Sequence, residues 1–392
     1  MSIAGYIQES IEKSSWIRKM FEDGIKLKKE FGEDNVFDFS LGNPDLDPPD
    51  KFFEVLRRFS KEAVKGAHAY MPNAGFPSVC KAIADKVSKE HGITMNAGNI
   101  IMTCGAAGGL NAVLKTILNP GDEVVVSKPY FVEYNFYITN HNGVPKLVDS
   151  NPDFSLNVDN IKKAINNKTK AVLINSPNNP TGRVYPEKQI KELSDMLTDF
   201  YKKGQTIYLL SDEPYKEIVY DNIKVPSTLA HYSNSIVVNS YSKSLSIPGE
   251  RIGYIAANTA CDSIGPLMAG MIMCNRILGY VNAPALMQRI VAELTDVTVD
   301  ITPYKKRRDM LADGLKNAGY SFPMPEGAFY IFCKSPIDDD VKFVQHLQKF
   351  NILAVPGSGF GGPGYFRMAY CVPEDVIKRS IPKFKEAMEK LP

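Results

Sequence analysis

Residues 235–257 read SIVVNSYSKSLSIPGERIGYIAA. Two apolar runs, SIVVNS and RIGYIAA, frame a polar turn. Neither run alternates apolar with polar residues, so each reads as a strand buried on both faces, as in a parallel sheet covered by helices. The first strand ends by presenting Ser240, Ser242 and Lys243, and Arg251 follows eight residues after the lysine. Most lysines are solvated surface charges. A lysine at the mouth of an apolar strand differs, because partial desolvation and nearby cations lower an amine's pKa and make it nucleophilic toward an aldehyde. The flanking hydroxyls and the guanidinium suit a phosphate.

Outward from this segment, further apolar runs recur: NIIMTCG (99–105), DEVVVSKP (122–129), KAVLINSP (170–177) and TIYLLSDE (206–213). Helical stretches lie between them, such as GGLNAVLKTILN, and PEKQIKELSDMLTDFYKKG with proline at its start and glycine at its end. Strand–helix repetition predicts an open α/β sheet with helices on both faces, whose ligands bind outside the carboxyl ends of the strands. Gly105, Asn179, Asp212, Ser240 and Lys243 all fall at or just after such ends. In TCGAAGGLN (103–111) the strand-to-helix turn can offer the backbone N–H groups of Ala106 and Ala107 to a phosphate. Its spacing fits neither a dinucleotide fingerprint nor a P-loop. From about residue 291 the texture changes to a charged helix, DITPYKKRRDMLADGLKNAG, then short strands and a final helix. The expected division is an N-terminal arm with part of a small domain (1–48), a large domain (49–290) and a smaller α+β domain (291–392).

Composition narrows the function. Lys and Arg number 46 against 44 Asp and Glu in 392 residues, a balance with no long-range pull toward nucleic acid or an anionic membrane. No apolar run reaches membrane-spanning length. The first residues, MSIAGYIQESIEKSSW, carry Glu9 and Glu12 where a secretion signal needs an unbroken apolar stretch. Six cysteines, at 80, 104, 261, 274, 333 and 371, show no paired spacing, which points to free thiols in a reducing cytoplasm. Five scattered histidines give no metal-ligand pattern.

The assembled motifs resemble the class I/II aminotransferases of the fold-type I pyridoxal-phosphate enzymes, almost end to end. Over the whole chain, segments SSWIRKMFEDG and RILGYVNAPALMQ included, the sequence most resembles bacterial-type sequences described as aspartate aminotransferases. The resemblance implies a large domain with a mostly parallel central sheet flanked by helices, plus a smaller α+β domain. It implies that Lys243 carries pyridoxal 5'-phosphate as a Schiff base, with Arg251, Ser240 and Ser242 at the phosphate. In SPNNPTG (176–182) it implies that Asn179 meets the cofactor's ring oxygen and the substrate carboxylate, across a commonly cis Asn–Pro bond. In LSDEPY (210–215) Asp212 would face the ring nitrogen and Tyr215 the ring oxygen. A buried carboxylate there keeps the ring nitrogen protonated, which makes the cofactor an electron sink.

Phe131, in PYFVEY (129–134), matches an aromatic stacked on the ring. Arg367, in PGYFRMAYC (363–371), matches a clamp for the substrate α-carboxylate, and Gly42, in LGNPD (41–45), a backbone contact. Tyr70, in HAYMPNAGF (68–76), matches a tyrosine that reaches the neighbouring subunit's cofactor, so a homodimer with shared sites is expected. One departure stands out: the turn at 103–111 lacks the Ser or Thr of relatives, leaving more of the phosphate to backbone amides, Ser240 and Arg251. The Gly-rich PGSGFGGPG (356–364) precedes an expected strand and reads as a mobile connection that positions Arg367.

The implied reaction moves an amino group between an L-α-amino acid, best aspartate, and a 2-oxo acid, best 2-oxoglutarate. The same residues would serve a C–S lyase or an aromatic, alanine or broad aminotransferase. A non-catalytic regulator on this fold generally carries an added DNA-binding domain, and intact Lys243 and Asp212 speak against it. For a second carboxylate the candidates are Arg276 and Arg18.

Overall fold

The computed structural model describes residues 3–12, 16–62 and 65–392, apart from the side chains of residues 6, 9, 10, 12 and 16–21. Twelve strands are formed by the described residues. They are β1 (Phe37–Asp38), β2 (Ile100–Thr103), β3 (Glu123–Lys128), β4 (Val144–Asp149), β5 (Thr169–Asn175) and β6 (Tyr208–Asp212). The rest are β7 (Ser235–Ser240), β8 (Gly253–Ala257), β9 (Tyr330–Lys334), β10 (Ile352–Leu353), β11 (Val355–Pro356) and β12 (Tyr365–Ala369).

Seven of them make the central sheet in the order β2-β8-β7-β6-β5-β3-β4. Both faces are covered. Val124, Val126, Leu173, Leu210, Ile236 and Val238 pack to one side, with the helices Gly105–Ile117 and Ile264–Ile277. Val125, Val172, Ile174 and Leu209 pack to the other against Ile190, Leu193 and Leu197 of the helix Glu187–Lys202. Those helix positions recur at the spacing of one helical face, and each fully buried aliphatic side chain contributes roughly 1.5–3 kcal/mol. Gly109 allows the helix Gly105–Ile117 to lie close on the sheet, since a Cβ there would stand 2.7 Å from Val238.

All six expected strands form. The sheet is mixed, because β8 runs antiparallel to both β7 and β2. Residues 241–252, a one-turn helix (Tyr241–Ser244) and a 3-10 turn (Pro248–Glu250), return the chain beside β7 without a crossover helix. A seventh strand, β4, has no counterpart among the expected runs. It lies at the sheet edge with Val144 and Leu147 exposed, so its sequence carries no continuous apolar signal.

A second sheet, β11-β12-β9, is antiparallel and packs with the helices Thr302–Asn317, Asp340–Gln348 and Glu374–Glu389. Its core is aromatic, with Phe39, Phe329, Phe332, Phe343, Phe366 and Phe384 fully buried. Strand β1 pairs in parallel with β10, which ties Phe37 and Asp38 to this layer. Among the described residues no helix is long and apolar enough to cross a membrane.

Candidate active site

A cavity of about 320 Å³ opens at the carboxyl ends of β5, β6 and β7. Twelve of the fourteen residues singled out above line it: Gly42, Ala106, Ala107, Phe131, Asn179, Asp212, Tyr215, Ser240, Ser242, Lys243, Arg251 and Arg367. Gly105 lies directly behind the wall, where its positive φ of 70° and missing Cβ let the Arg251 guanidinium approach. Tyr70 is elsewhere, 90% exposed.

Strand β7 ends at Ser240, whose hydroxyl accepts from Ser242 N (3.1 Å) and caps the short helix Tyr241–Ser244. That cap aims Lys243 into the cavity, where its Nζ donates to Gly42 O (3.0 Å). Burial, with Arg251 and Arg367 nearby, lowers the amine to about 8. Arg251 takes a left-handed backbone, φ 51°, and is anchored by Nη1 donating to Pro248 O (2.8 Å). The adjacent helix Gly105–Ile117 has no side-chain cap on its first N–H groups. Uncapped amides, two serine hydroxyls and a guanidinium together could hold a phosphate.

At the end of β6, Asp212 is buried and burial raises its carboxyl to about 7. Oδ2 accepts from the Tyr134 hydroxyl, while Oδ1 has no hydrogen-bond partner. A buried orphan acceptor is costly, and a protonated ring nitrogen would satisfy it. Asn175 supports this corner from β5, donating to Asp212 O (2.9 Å) and accepting from Asn179 N (2.7 Å). The Asn179–Pro180 peptide is cis, as expected.

Arg367, central in β12, donates from Nη1 to Asn179 Oδ1 (3.1 Å) and from Nη2 to Ser40 O (2.6 Å). Its guanidinium carbon sits 4.6 Å from each of the Tyr330 and Phe360 ring centroids, and Nε has no partner. An oriented guanidinium with donors left over is built for a carboxylate. Tyr215 and Tyr330 hydroxyls lie 2.9 Å apart. Gly42 must be glycine here, because a Cβ would fall 1.9 Å from the Tyr330 oxygen.

Four contributors were not anticipated: Tyr134, Tyr137, Asn175 and Tyr330. Tyr134 and Tyr137 follow Phe131 at helical spacing, a signal that could have found them. Among the described residues the cavity wall carries three cations, Lys243, Arg251 and Arg367. Arg276 is exposed on the helix Ile264–Ile277 and outside that wall. The side chain of Arg18 lies outside the described residues.

A desolvated amine, uncapped helix amides beside two hydroxyls and a guanidinium, a buried carboxylate with one oxygen unpartnered and an oriented arginine with a spare donor fit one class, an enzyme of amino-acid chemistry built around a phosphorylated aldehyde cofactor. The family model described as aminotransferase class I and II matches residues 34–384, and the chain belongs to that family. It is a pyridoxal-phosphate-dependent aminotransferase. It is 33% identical over 372 residues (91% of this chain, 92% of the relative) to an Aquifex aeolicus protein named "Probable aspartate/prephenate aminotransferase". An amino transferase structure from Eubacterium rectale superposes with a TM-score of 0.96 at 37% identity, covering 99% of both chains. The aspartate aminotransferase of Thermus thermophilus, solved with maleate, gives 0.87 at 26% identity, covering 99% of this chain and 100% of the other.

Proposed function

We propose that this aminotransferase takes its amino group from L-aspartate and passes it to 2-oxoglutarate, with the cavity residues in the roles their positions suggest. The carrying observation is Lys243, a desolvated amine facing the same cavity as the unpaired Arg367 Nε and Asp212 Oδ1. The substrate reading draws support from the aspartate-named relatives, one of them solved with the dicarboxylate maleate.

Pyridoxal phosphate, when bound, supplies an electron-withdrawing ring that stabilises negative charge at the substrate α-carbon. Ala106 and Ala107 N–H, with Ser240, Ser242 and Arg251, would hold its phosphate. Phe131 would pack on the ring face, Asn179 and Tyr215 would meet its ring oxygen, and Asp212 its ring nitrogen. Arg367 binds the α-carboxylate, with Asn179 and the Gly42 backbone beside it. Lys243 Nζ would anchor the aldehyde and, when free, would be the group placed to take the α-carbon proton. That task needs a neutral amine, and burial moves Lys243 toward that form by lowering it to about 8.

The roles of the domains follow the same reading: residues 49–290 carry the cofactor, while 1–48 and 291–392 carry the small domain with Arg367. Six free cysteines accord with a cytoplasmic location. A homodimer is supported by the family likeness, and Tyr70, 90% exposed, is free to reach a second subunit. Tyr70 then reaches the phosphate in the neighbouring subunit. Mixing inactive Tyr70→Ala with inactive Lys243→Ala subunits should restore part of the activity, because one site of each hybrid carries neither defect. No recovery after proven subunit exchange would remove Tyr70 from the shared site.

A distal carboxylate needs a cation beyond the three in this wall, and Arg276 and Arg18 are the candidates. A charge-assisted hydrogen bond contributes about 1.5–3 kcal/mol, so Arg276→Leu or Arg18→Leu should lower the aspartate specificity constant by roughly ten- to a hundred-fold. Alanine turnover should be nearly untouched. Parallel assays of glutamate formation from aspartate, glutamate formation from alanine, and pyruvate-plus-ammonia release check both specificity and reaction. Equal losses for the two donors would mean structural damage, and release of ammonia without glutamate would overturn the aminotransferase assignment.

A further inference from the structure

The Gly-rich turn that precedes β12 fits no phosphate role, yet it is tied down with unusual thoroughness. Asp340, at the start of the helix Asp340–Gln348, has a buried side chain, and no described ion pair includes it. Its Oδ2 accepts from Ser358 N (2.7 Å), and its Oδ1 accepts from Ser358 Oγ (2.7 Å) and Gly364 N (3.3 Å). One carboxylate thus gathers both ends of the turn. A buried anion held only by neutral donors costs desolvation, so its retention points to a geometric task.

Between those ends the turn has no slack. Gly362 N donates to Gly357 O (2.9 Å), and a Cβ on Gly357 would meet Gly362 O at 2.2 Å. A Cβ on Gly361 would meet the Tyr130 ring at 2.8 Å, and one on Gly362 would meet Phe332 at 2.9 Å and Pro129 at 3.1 Å. Phe360, at the centre, accepts at its carbonyl from Tyr130 N (3.1 Å) and places its ring 4.6 Å from the Arg367 guanidinium. Tyr130 immediately precedes Phe131, a wall residue of the cavity. The mobile connection expected from the glycines is therefore a clamped one.

We propose that Asp340 is a positioning residue for substrate binding: by tying both ends of the turn 357–364 it holds the Phe360 ring against Arg367 and fixes the aim of that guanidinium. The proposal rests on the reading of Arg367 as the partner of the α-carboxylate. It extends the binding apparatus to a residue that touches neither substrate nor cofactor.

The test is a spectral titration of holoenzyme variants Asp340→Ala, Asp340→Asn and Ser358→Ala with two ligand pairs. The pairs are L-aspartate with 3-aminopropanoate and L-alanine with ethylamine, each amine being the amino acid without its α-carboxylate. Loss of the clamp should weaken the amino acids about ten- to a hundred-fold in Asp340→Ala, as expected when a guanidinium is misaimed. The amines should bind as in wild type. Ser358→Ala, which keeps the backbone bonds, should show a smaller loss in the same direction, and it carries the test if Asp340→Ala does not fold. Equal weakening of acids and amines, or no weakening in any variant, overturns the proposal. Arg367→Ala is run beside them: if it alone discriminates acids from amines, Asp340 has no positioning role and the clamp reading stands. If Arg367→Ala fails to discriminate, the clamp reading falls and this proposal with it.

Discussion

Lys243→Ala is expected to reduce amino transfer by about a thousand-fold or more, because one substitution removes both the proposed nucleophile and the proposed proton carrier. The fold should survive it. The Lys243 side chain makes a single described hydrogen bond, to Gly42 O, and its ammonium form is disfavoured by burial, so its loss strands little. Two measurements localise the effect. Borohydride reduction of the holoenzyme followed by peptide mapping should label Lys243, and a label on another lysine would falsify the assignment. The second is a pH profile for capture of a simple aldehyde by cofactor-free protein. Only the neutral amine reacts, so the rate should climb with pH and level off above about 8, the value to which burial lowers this amine. An ordinary exposed lysine would still be climbing until about 10.4. A plateau near that higher value would mean that Lys243 is solvated like any surface lysine.

The readable and unreadable parts of this molecule divide along physical lines. Strands β2, β3, β5, β6, β7 and β8 were legible because burial on both faces leaves continuous apolar runs. Strand β4 was not, since an edge strand with exposed Val144 and Leu147 writes no such run. Direction was also hidden: β8 is as apolar as its neighbours yet antiparallel, and an apolar run does not record which way a strand points. Lys243, Asp212 and Asn179 were legible as polar residues at strand ends. Tyr330 was not, for it meets Tyr215 across 115 residues of chain, a contact made only when the two sheets pack. Glu213 was overlooked as well. It is fully buried beside Asp212, where Lys216 (3.1 Å) and His91 (3.6 Å) surround it, and burial lowers the His91 imidazole to about 4. No spacing rule announces a cluster assembled from the end of the helix Pro77–His91, a strand end and the turn that follows it. Asp340 belongs with these, since two of its three hydrogen bonds come from backbone amides that sequence cannot point to.

Arg367→Ala is expected to weaken every amino acid and 2-oxo acid by a similar factor. The guanidinium is buried, and desolvation already works against its charge, lowering its pKa. It is held by Asn179 Oδ1 and Ser40 O and flanked by Tyr330 and Phe360, so little orientational freedom remains to be lost when a carboxylate arrives. Removing one partner of such a desolvated pair typically costs roughly 2–5 kcal/mol, or about thirty-fold to several thousand-fold in affinity. Arg367→Lys should recover only part of it, because an ammonium cannot present the planar fork and would leave Asn179 Oδ1 or Ser40 O without its donor. The diagnostic is uniformity. Aspartate, alanine and 2-oxoglutarate share only the carboxylate next to the reacting carbon, so dissociation constants for all three should rise together, whereas a partner for the distal carboxylate would spare alanine. Unchanged affinities in a normally folded Arg367→Ala enzyme would rule out the clamp, and a loss confined to the dicarboxylates would move Arg367 to the other end of the substrate.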